Sequence, residues 1–263
     1  STGTEGTGGE VSDADTALAQ AERLAASYDY DGAIALLQEV PDYESNTAIT
    51  EAIAGYEETK STLVEADITQ IPHIFFHSLI VDTDLAFSSN MADNYNQVMT
   101  TVDEFNKIIQ QMYENGYVLV KIHDMAYEEN GELVKGSIML PPGKKPFVLS
   151  VDDVSYYEYM EGHGFATKII IGEDGIPTCE MEMEDGTTQT GAFDVVPLLE
   201  QFIAEHPDFS YQGARGIIAL TGYDGILGYR TAPKYGDPSD GNYKAWYATL
   251  DVEEEREQAT AVG

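Results

Sequence analysis

The sequence is poor in cysteine and contains no long apolar run. Its single cysteine, Cys179, excludes an intramolecular disulfide, so the cysteine count does not identify a compartment. No apolar run approaches the roughly 18 residues that a membrane helix requires, and we expect no membrane insertion. Hydrophobic residues still make up 43% of the 263 residues. That is enough to bury one large core, or a large core and a small one.

Basic residues are also scarce. Lysine and arginine number 13 against 47 aspartate and glutamate residues, and the formal net charge is -34. Such a surface repels phosphate backbones and anionic lipids, which argues against nucleic acid and membrane surfaces as partners. The same surface concentrates cations, so it is compatible with a bound divalent ion without requiring one.

Composition divides the chain into three parts. Residues 1–11 are rich in glycine and threonine and predict a flexible linker. Such linkers often tether a domain to a cell-surface anchor, so we expect an extracellular or cell-surface location in a bacterial envelope; a cloning remnant is the alternative. Residues 12–67 predict a small helical module, with a cap at Val11-Ser12-Asp13, a second helix ended by Pro41 and a third helix from about Asn46 to Glu65.

Residues 68–263 alternate between strand and helix patterns, which predicts an α/β domain with a mostly parallel sheet or a barrel. A capping box, Thr101 with Glu104, opens an amphipathic helix that Gly116 ends. Asp185-Gly186 predicts a hairpin turn. Further strands are expected at 71–79, 117–122, 165–171 and 216–221, and further helices at 156–162, 195–206 and 251–261.

The domain is organised around the stretch KKPFVLSVDD, residues 144–153. Its unbroken apolar run is typical of a strand covered on both faces, and active sites of α/β folds gather at the carboxyl ends of such strands. Neighbouring side chains of a regular strand point to opposite faces. Asp152 and Asp153 can therefore reach one pocket only if the strand already breaks there. The alternative interpretation is a pair that caps a following helix.

Four stretches stand in a distinctive order: IPHIFFHSLI, DEFNKIIQQMYENGYVLVKIHDM, GKKPFVLSVDD and YMEGHGFATKIII. This order resembles the NodB-type polysaccharide deacetylases, carbohydrate esterase family 4. In that family a strand with tyrosine, histidine and serine precedes a helix, a Gly-Tyr strand, a "K-P-V-V-L-T-F-D-D-G" strand and an aromatic strand. The resemblance covers roughly residues 68–171. Val154 replaces the family's glycine after the aspartate pair, and Ser150-Val151 replaces its Thr-Phe.

The resemblance implies a fold, a reaction and a set of site residues. The fold would be an irregular (β/α) barrel, and the reaction the metal-dependent removal of acetyl groups from a polysaccharide or cell-wall glycan. Asp152 would be the general base and Asp153 a ligand of a divalent metal, with zinc the expected ion. His77, at the end of the first strand, and Arg230, in a motif similar to the family's R-x-x-P-Y-G, would contact the carbohydrate substrate.

One expected motif is missing. The family's two metal-binding histidines form an H-x-x-x-H motif after the aspartate pair, and this chain has none there. His73 and His77 have that spacing, but they lie on a predicted strand, where four residues span about 13 Å, too far for two ligands of one metal. His163 and His206 are interpreted as surface residues.

Two interpretations of the missing motif stay open. The chain could be the first part of a deacetylase domain, in which case an oligomer or a second chain would complete the barrel. It could instead be a degenerate relative, a non-catalytic cell-surface protein that binds glycan or protein. A glycoside hydrolase is the weaker third option, because adjacent carboxylates can hardly be separated by the roughly 5 Å or more that this chemistry requires.

Overall fold

A computed structural model describes residues 13–263, so the predicted linker at residues 1–11 and the capping residues Val11 and Ser12 lie outside the described residues. Helices and strands alternate along most of this range, as the sequence predicts for an α/β protein. The α-helices are α1 (Asp13–Ala26), α2 (Tyr30–Gln38), α3 (Thr47–Ser61), α4 (Thr83–Ser88), α5 (Ala92–Val98), α6 (Val102–Glu114), α7 (Ile122–Met125), α8 (Val195–Glu205) and α9 (Val252–Val262). None of these helices is long and apolar enough to cross a membrane.

Most strands are short. They are β1 (Val64–Glu65), β2 (His73–Phe76), β3 (Tyr117–Leu119), β4 (Ala126–Glu129), β5 (Glu132–Lys135), β6 (Met139–Leu140), β7 (Lys145–Val151), β8 (Lys168–Ile171), β9 (Pro177–Glu182), β10 (Thr188–Gly191) and β11 (Ile217–Ile218).

The chain forms two compact units. The first consists of the residues up to Ile71 together with Val118–Pro146 and His206–Ala214. The second consists of Pro72–Tyr117, Phe147–Glu205 and Arg215–Gly263.

The first unit contains the predicted amino-terminal helices. The carboxylate of Asp29 caps α2 and the side chain of Asn46 caps α3, each by accepting from backbone N–H groups of the first turn. The apolar faces of α1, α2 and α3 meet in a core that includes one buried residue from each helix: Ala21, Leu37 and Ile49. The prediction of a helical region is therefore confirmed, although α3 ends at Ser61, four residues before the predicted end.

The second unit is built on a small parallel sheet. The strand β7 lies between β2 and β11, and both neighbours run parallel to it. From Pro146 to Val151 every residue of β7 is buried, as the continuous apolar run predicts for a strand covered on both faces. Phe105 on α6 packs edge-on against Phe76 of β2 at 5.0 Å between ring centroids. The capping box that opens α6 is present.

A separate antiparallel sheet has the order β10-β9-β8. Its β9–β10 connection contains Gly186, whose φ of 78° lies in the left-handed region that the predicted Asp-Gly turn requires. Across residues 13–263 the strands form separate sheets and close no barrel. The architecture shown is thus a mixed α/β protein with an amino-terminal helical region and a small parallel sheet.

The predicted helix over residues 156–162 is wrong: this segment contains only a single 3-10 turn, Glu158–Met160. Tyr156 has a φ of 48°, which a right-handed helix does not allow. The guanidinium of Arg230 also donates to the carbonyl oxygens of Ser155 and Tyr156, at 3.2 and 2.6 Å. Those carbonyls are therefore used by a distant side chain instead of by a helical turn.

Candidate functional site

The aspartate pair stands at the carboxyl end of β7, where the strand breaks. The N–H of Asp152 still donates to the carbonyl of Phe76 on β2, at 2.7 Å, so strand pairing extends to this residue. At Asp153 the backbone turns into the left-handed region, with a φ of 59°. The N–H of Ser155 then donates to the carbonyl of Asp153 at 2.6 Å, which closes a tight turn. The backbone thus leaves the strand geometry between the two carboxylates.

Asp152 belongs to a chain of three polar side chains. The hydroxyl of Ser150 donates to Oδ1 of Asp152 at 3.1 Å, and Nε2 of His73 lies 2.9 Å from the same hydroxyl oxygen. Because Ser150 uses its only hydrogen toward Asp152, the hydrogen between His73 and Ser150 must come from Nε2. The register pairs His73 with Val148 and Phe75 with Ser150, so these side chains share one face of the sheet.

Asp153 faces the second histidine of the β2 region, just beyond the strand's end. Its Oδ2 lies 3.8 Å from Nε2 of His77, and the side chains of His77 and Asp153 are 27% and 41% exposed. The ring of Phe75 meets the His77 ring edge-on at 6.0 Å between centroids. After the left-handed turn, the Asp153 carboxylate therefore lies near the residue that follows β2. Each carboxylate has its own partner: Ser150 on β7 for Asp152, and His77 just beyond β2 for Asp153.

The donor set falls short of a complete metal site. Asp153 and His77 supply one oxygen and one nitrogen donor of the kinds that zinc accepts, but a catalytic zinc usually has three protein ligands. No group of three or more histidine, cysteine, aspartate or glutamate side chains within residues 13–263 is arranged to hold a metal ion. These residues therefore do not fit a catalytic metal without further ligands. The predicted strand location is confirmed for His73, whereas His77 lies one residue beyond the end of β2.

Arg230 is buried and binds the segment that follows the aspartate pair. Besides the carbonyls of Ser155 and Tyr156, its guanidinium donates to Oε1 of Glu161 at 2.7 Å and lies 3.8 Å from Oδ2 of Asp224. These contacts hold the loop in place. A role of Arg230 in binding substrate stays a prediction.

Sequence reasoning missed Ser150 as the partner of Asp152 and His73 as the partner of Ser150. The spacing of Ser150 and Asp152 was a usable signal, because residues two apart on a strand share a face. The link to His73 was not readable, since it joins positions 77 residues apart. His163, interpreted as a surface residue, is half-buried, and its Nδ1 lies 2.8 Å from the Tyr95 hydroxyl oxygen, within hydrogen-bond distance.

Comparisons of this chain with protein-family models, with curated proteins and with solved structures find no significant match. Its function is consequently inferred from the motif resemblance and from the geometry around the aspartate pair.

Proposed function

We propose that this protein is a hydrolase that removes acetyl groups from a polysaccharide or cell-wall glycan, with Asp152 as the general base. The observation that carries the proposal is the broken carboxyl end of β7, where Asp152 is bonded to Ser150 and Asp153, after its left-handed turn, has Oδ2 3.8 Å from Nε2 of His77. On this proposal the small parallel sheet corresponds to the first part of an irregular (β/α) barrel of the deacetylase type, which the strands of residues 13–263 leave unclosed. The surroundings would be extracellular, at the bacterial cell surface.

The reaction requires one carboxylate, Asp152, to accept a proton, while Asp153 keeps its contact with His77. Water attacks the acetyl carbonyl carbon as Asp152 takes a proton from it, and a bond forms between the water oxygen and that carbon. The bond from the carbonyl carbon to the sugar nitrogen or oxygen then breaks, and the sugar atom takes the proton that Asp152 received from water. Asp152 thereby regains its charge, and the acetic acid that leaves loses its own proton to solvent and becomes acetate.

The polar chain behind Asp152 suits this role. Ser150 is buried and donates to Oδ1, which holds the carboxylate in one orientation and leaves Oδ2 to face a water molecule. Asp153 and His77 are the two groups available to a divalent ion, which would supply Lewis-acid polarisation of the acetyl carbonyl when bound. Two donors do not complete a metal site, so proton transfer and orientation fall to the side chains of Asp152 and Ser150.

The test is acetate release from partly acetylated chitosan oligomers and from acetylated xylan, measured with and without added zinc. We expect release by the wild type and a loss of about a hundredfold or more in Asp152→Asn, because general bases contribute about that much. Asp93→Asn, an exposed aspartate on α5, is the matched control and should behave as the wild type. Absence of release from every substrate, or equal release by Asp152→Asn, would refute the proposal.

A non-catalytic binding protein is the second candidate. It is favoured by the missing third metal ligand within residues 13–263. This alternative expects glycan or protein binding that is unchanged by a chelator such as EDTA and unaccompanied by acetate release. Metal-dependent acetate release would exclude it.

A further inference from the structure

Three tyrosines, two of them exposed, form an aromatic cluster in the second unit. Tyr157 and Tyr159 stack with ring centroids 5.5 Å apart and planes 11° apart, and the ring of Tyr223 meets Tyr157 edge-on at 6.1 Å. Tyr159 is 52% exposed and Tyr223 is 57% exposed. We call these residues the tyrosine cluster. Grouped exposed aromatic rings of this kind mark binding surfaces more often than single exposed apolar side chains do.

Two buried charged side chains hold the backbone of the tyrosine cluster in place. The turn that carries Tyr157 and Tyr159 is fixed by the N–H of Glu158, which donates to Oδ2 of the buried Asp224 at 2.6 Å. Arg230 binds the carbonyl of Tyr156 immediately before this turn. A buried carboxylate and a buried guanidinium thus anchor the same few residues. Rings mounted on such a turn lose little conformational freedom when a ligand binds, which favours affinity.

The polar groups around the cluster are already engaged with one another. Glu158 accepts from Nζ of Lys244 at 2.8 Å and from Nε1 of Trp246 at 3.2 Å. The Lys234 ammonium lies 3.3 Å from the centroid of the Tyr223 ring. An anionic ligand would have to displace these contacts and approach a chain of net charge -34. The chemistry that fits is a neutral ligand with flat apolar faces and a hydroxylated edge, which describes a sugar ring.

The cluster follows the aspartate pair closely in the chain. Tyr157 and Tyr159 stand four and six residues after Asp153, beyond the tight turn in which the N–H of Ser155 donates to the carbonyl of Asp153. The pKa of the Tyr159 hydroxyl is raised above its ordinary value, first by burial of part of the side chain and then by Tyr157, Asp153 and Asp224.

We propose that the tyrosine cluster is a binding platform for a neutral glycan, with the exposed ring of Tyr159 stacking on one sugar and Tyr223 contacting the chain beside it. The inference rests on the proposed function in one respect, that the bound glycan is the acetylated substrate. Binding itself does not depend on hydrolysis and is measured separately.

The experiment is calorimetric titration of the full chain with β-1,4-linked N-acetylglucosamine hexamer and with soluble acetylated xylan. We expect Tyr159→Ala and Tyr223→Ala each to weaken binding of at least one of these glycans by about tenfold. Tyr159→Phe keeps the ring and should bind within about twofold of the wild type. Tyr127→Ala removes a comparably exposed tyrosine on β4 and is the matched control, with unchanged binding.

The results separate this inference from the proposed function. Asp152→Asn should bind glycan within about twofold of the wild type while its acetate release falls by about a hundredfold or more. Binding that depends on the tyrosines, without acetate release by the wild type, supports the platform and refutes the deacetylase. No binding by the wild type, or equal binding by Tyr159→Ala, Tyr223→Ala and the wild type, overturns the platform even if acetate is released.

Discussion

Tyr156 donates its phenolic hydrogen to Oδ2 of Asp194 over 2.6 Å, and both side chains are buried. The other carboxylate oxygen accepts from the N–H groups of Leu79 and Val195, at 3.0 and 2.8 Å. Burial nevertheless outweighs these hydrogen bonds and raises the pKa of Asp194 from 3.8 to about 6. The carboxyl group of Asp194 is therefore partly neutral in mildly acidic solution.

This pKa predicts a pH dependence of stability. Because the folded-state pKa lies above the ordinary value, the stabilising contribution is complete below about pH 4 and is lost as the pH rises through about 6. Replacement Asp194→Asn removes the titration. We expect the free energy of unfolding of the wild type, minus that of Asp194→Asn, to fall by up to about 3 kcal/mol between pH 4 and pH 7. Denaturant unfolding at several pH values measures this difference, and a constant difference would contradict it.

A second prediction concerns the hydroxyl that orients Asp152. Replacement Ser150→Ala removes the hydrogen bond to Oδ1 and leaves Nε2 of His73 without this acceptor. We expect kcat/KM for acetate release to fall about tenfold, the effect of about 1.4 kcal/mol, with KM little changed because the hydroxyl is buried behind the carboxylate. Ser88→Ala, at an exposed position of α4, is the control. A change in KM alone would show that Ser150 does not act through Asp152.

The buried guanidinium is expected to stabilise the fold strongly. Replacement Arg230→Met leaves Asp224, whose side chain is 3% exposed and whose Oδ1 has no hydrogen-bond partner among residues 13–263, as an uncompensated buried charge. We expect a loss of about 3–5 kcal/mol in the free energy of unfolding. The double replacement with Asp224→Leu should cost less than Arg230→Met alone, since no buried charge then remains.

Arg256 supplies the control for this experiment. It pairs with Glu253 on the surface of α9, so Arg256→Met should change the free energy of unfolding by no more than about 0.5 kcal/mol. Urea titrations measure both values. An equal loss of unfolding free energy in Arg230→Met and Arg256→Met would show that the buried position of Arg230 does not increase its contribution to stability.

The capping box of α6 offers a prediction independent of the site. The hydroxyl of Thr101 accepts from the N–H of Glu104 at 3.1 Å, and the Glu104 carboxylate accepts in return from the N–H of Thr101 at 2.9 Å. Replacement Thr101→Ala should lower the free energy of unfolding by about 1 kcal/mol. Thr260→Ala, within α9, should cost nothing because alanine is the better helix former there. Thermal or urea unfolding of both variants distinguishes these outcomes.

Features fixed by neighbouring residues were predictable from the sequence. The buried strand β7, the capped helix α6 and the hairpin at Gly186 each depend on spacing within a dozen residues or so, and all three are present. The segment after the aspartate pair was predicted wrongly because its conformation depends on Arg230, about 75 residues away. The contact between His73 and Ser150 and the position of Tyr223 beside Tyr157 were missed for the same reason, because each joins distant parts of the chain.

The left-handed backbone at Asp153 bears on how variants at this position should be chosen. Asparagine and glycine adopt that conformation readily, whereas a β-branched residue there is strained by about 1 kcal/mol or more. Asp153→Asn would therefore report the loss of charge alone, Asp153→Gly the loss of the whole side chain, and Asp153→Val an additional distortion of the turn. Comparison of these three replacements therefore separates the effect of the lost charge from the effect of the altered backbone, whereas a single alanine replacement would combine the two effects.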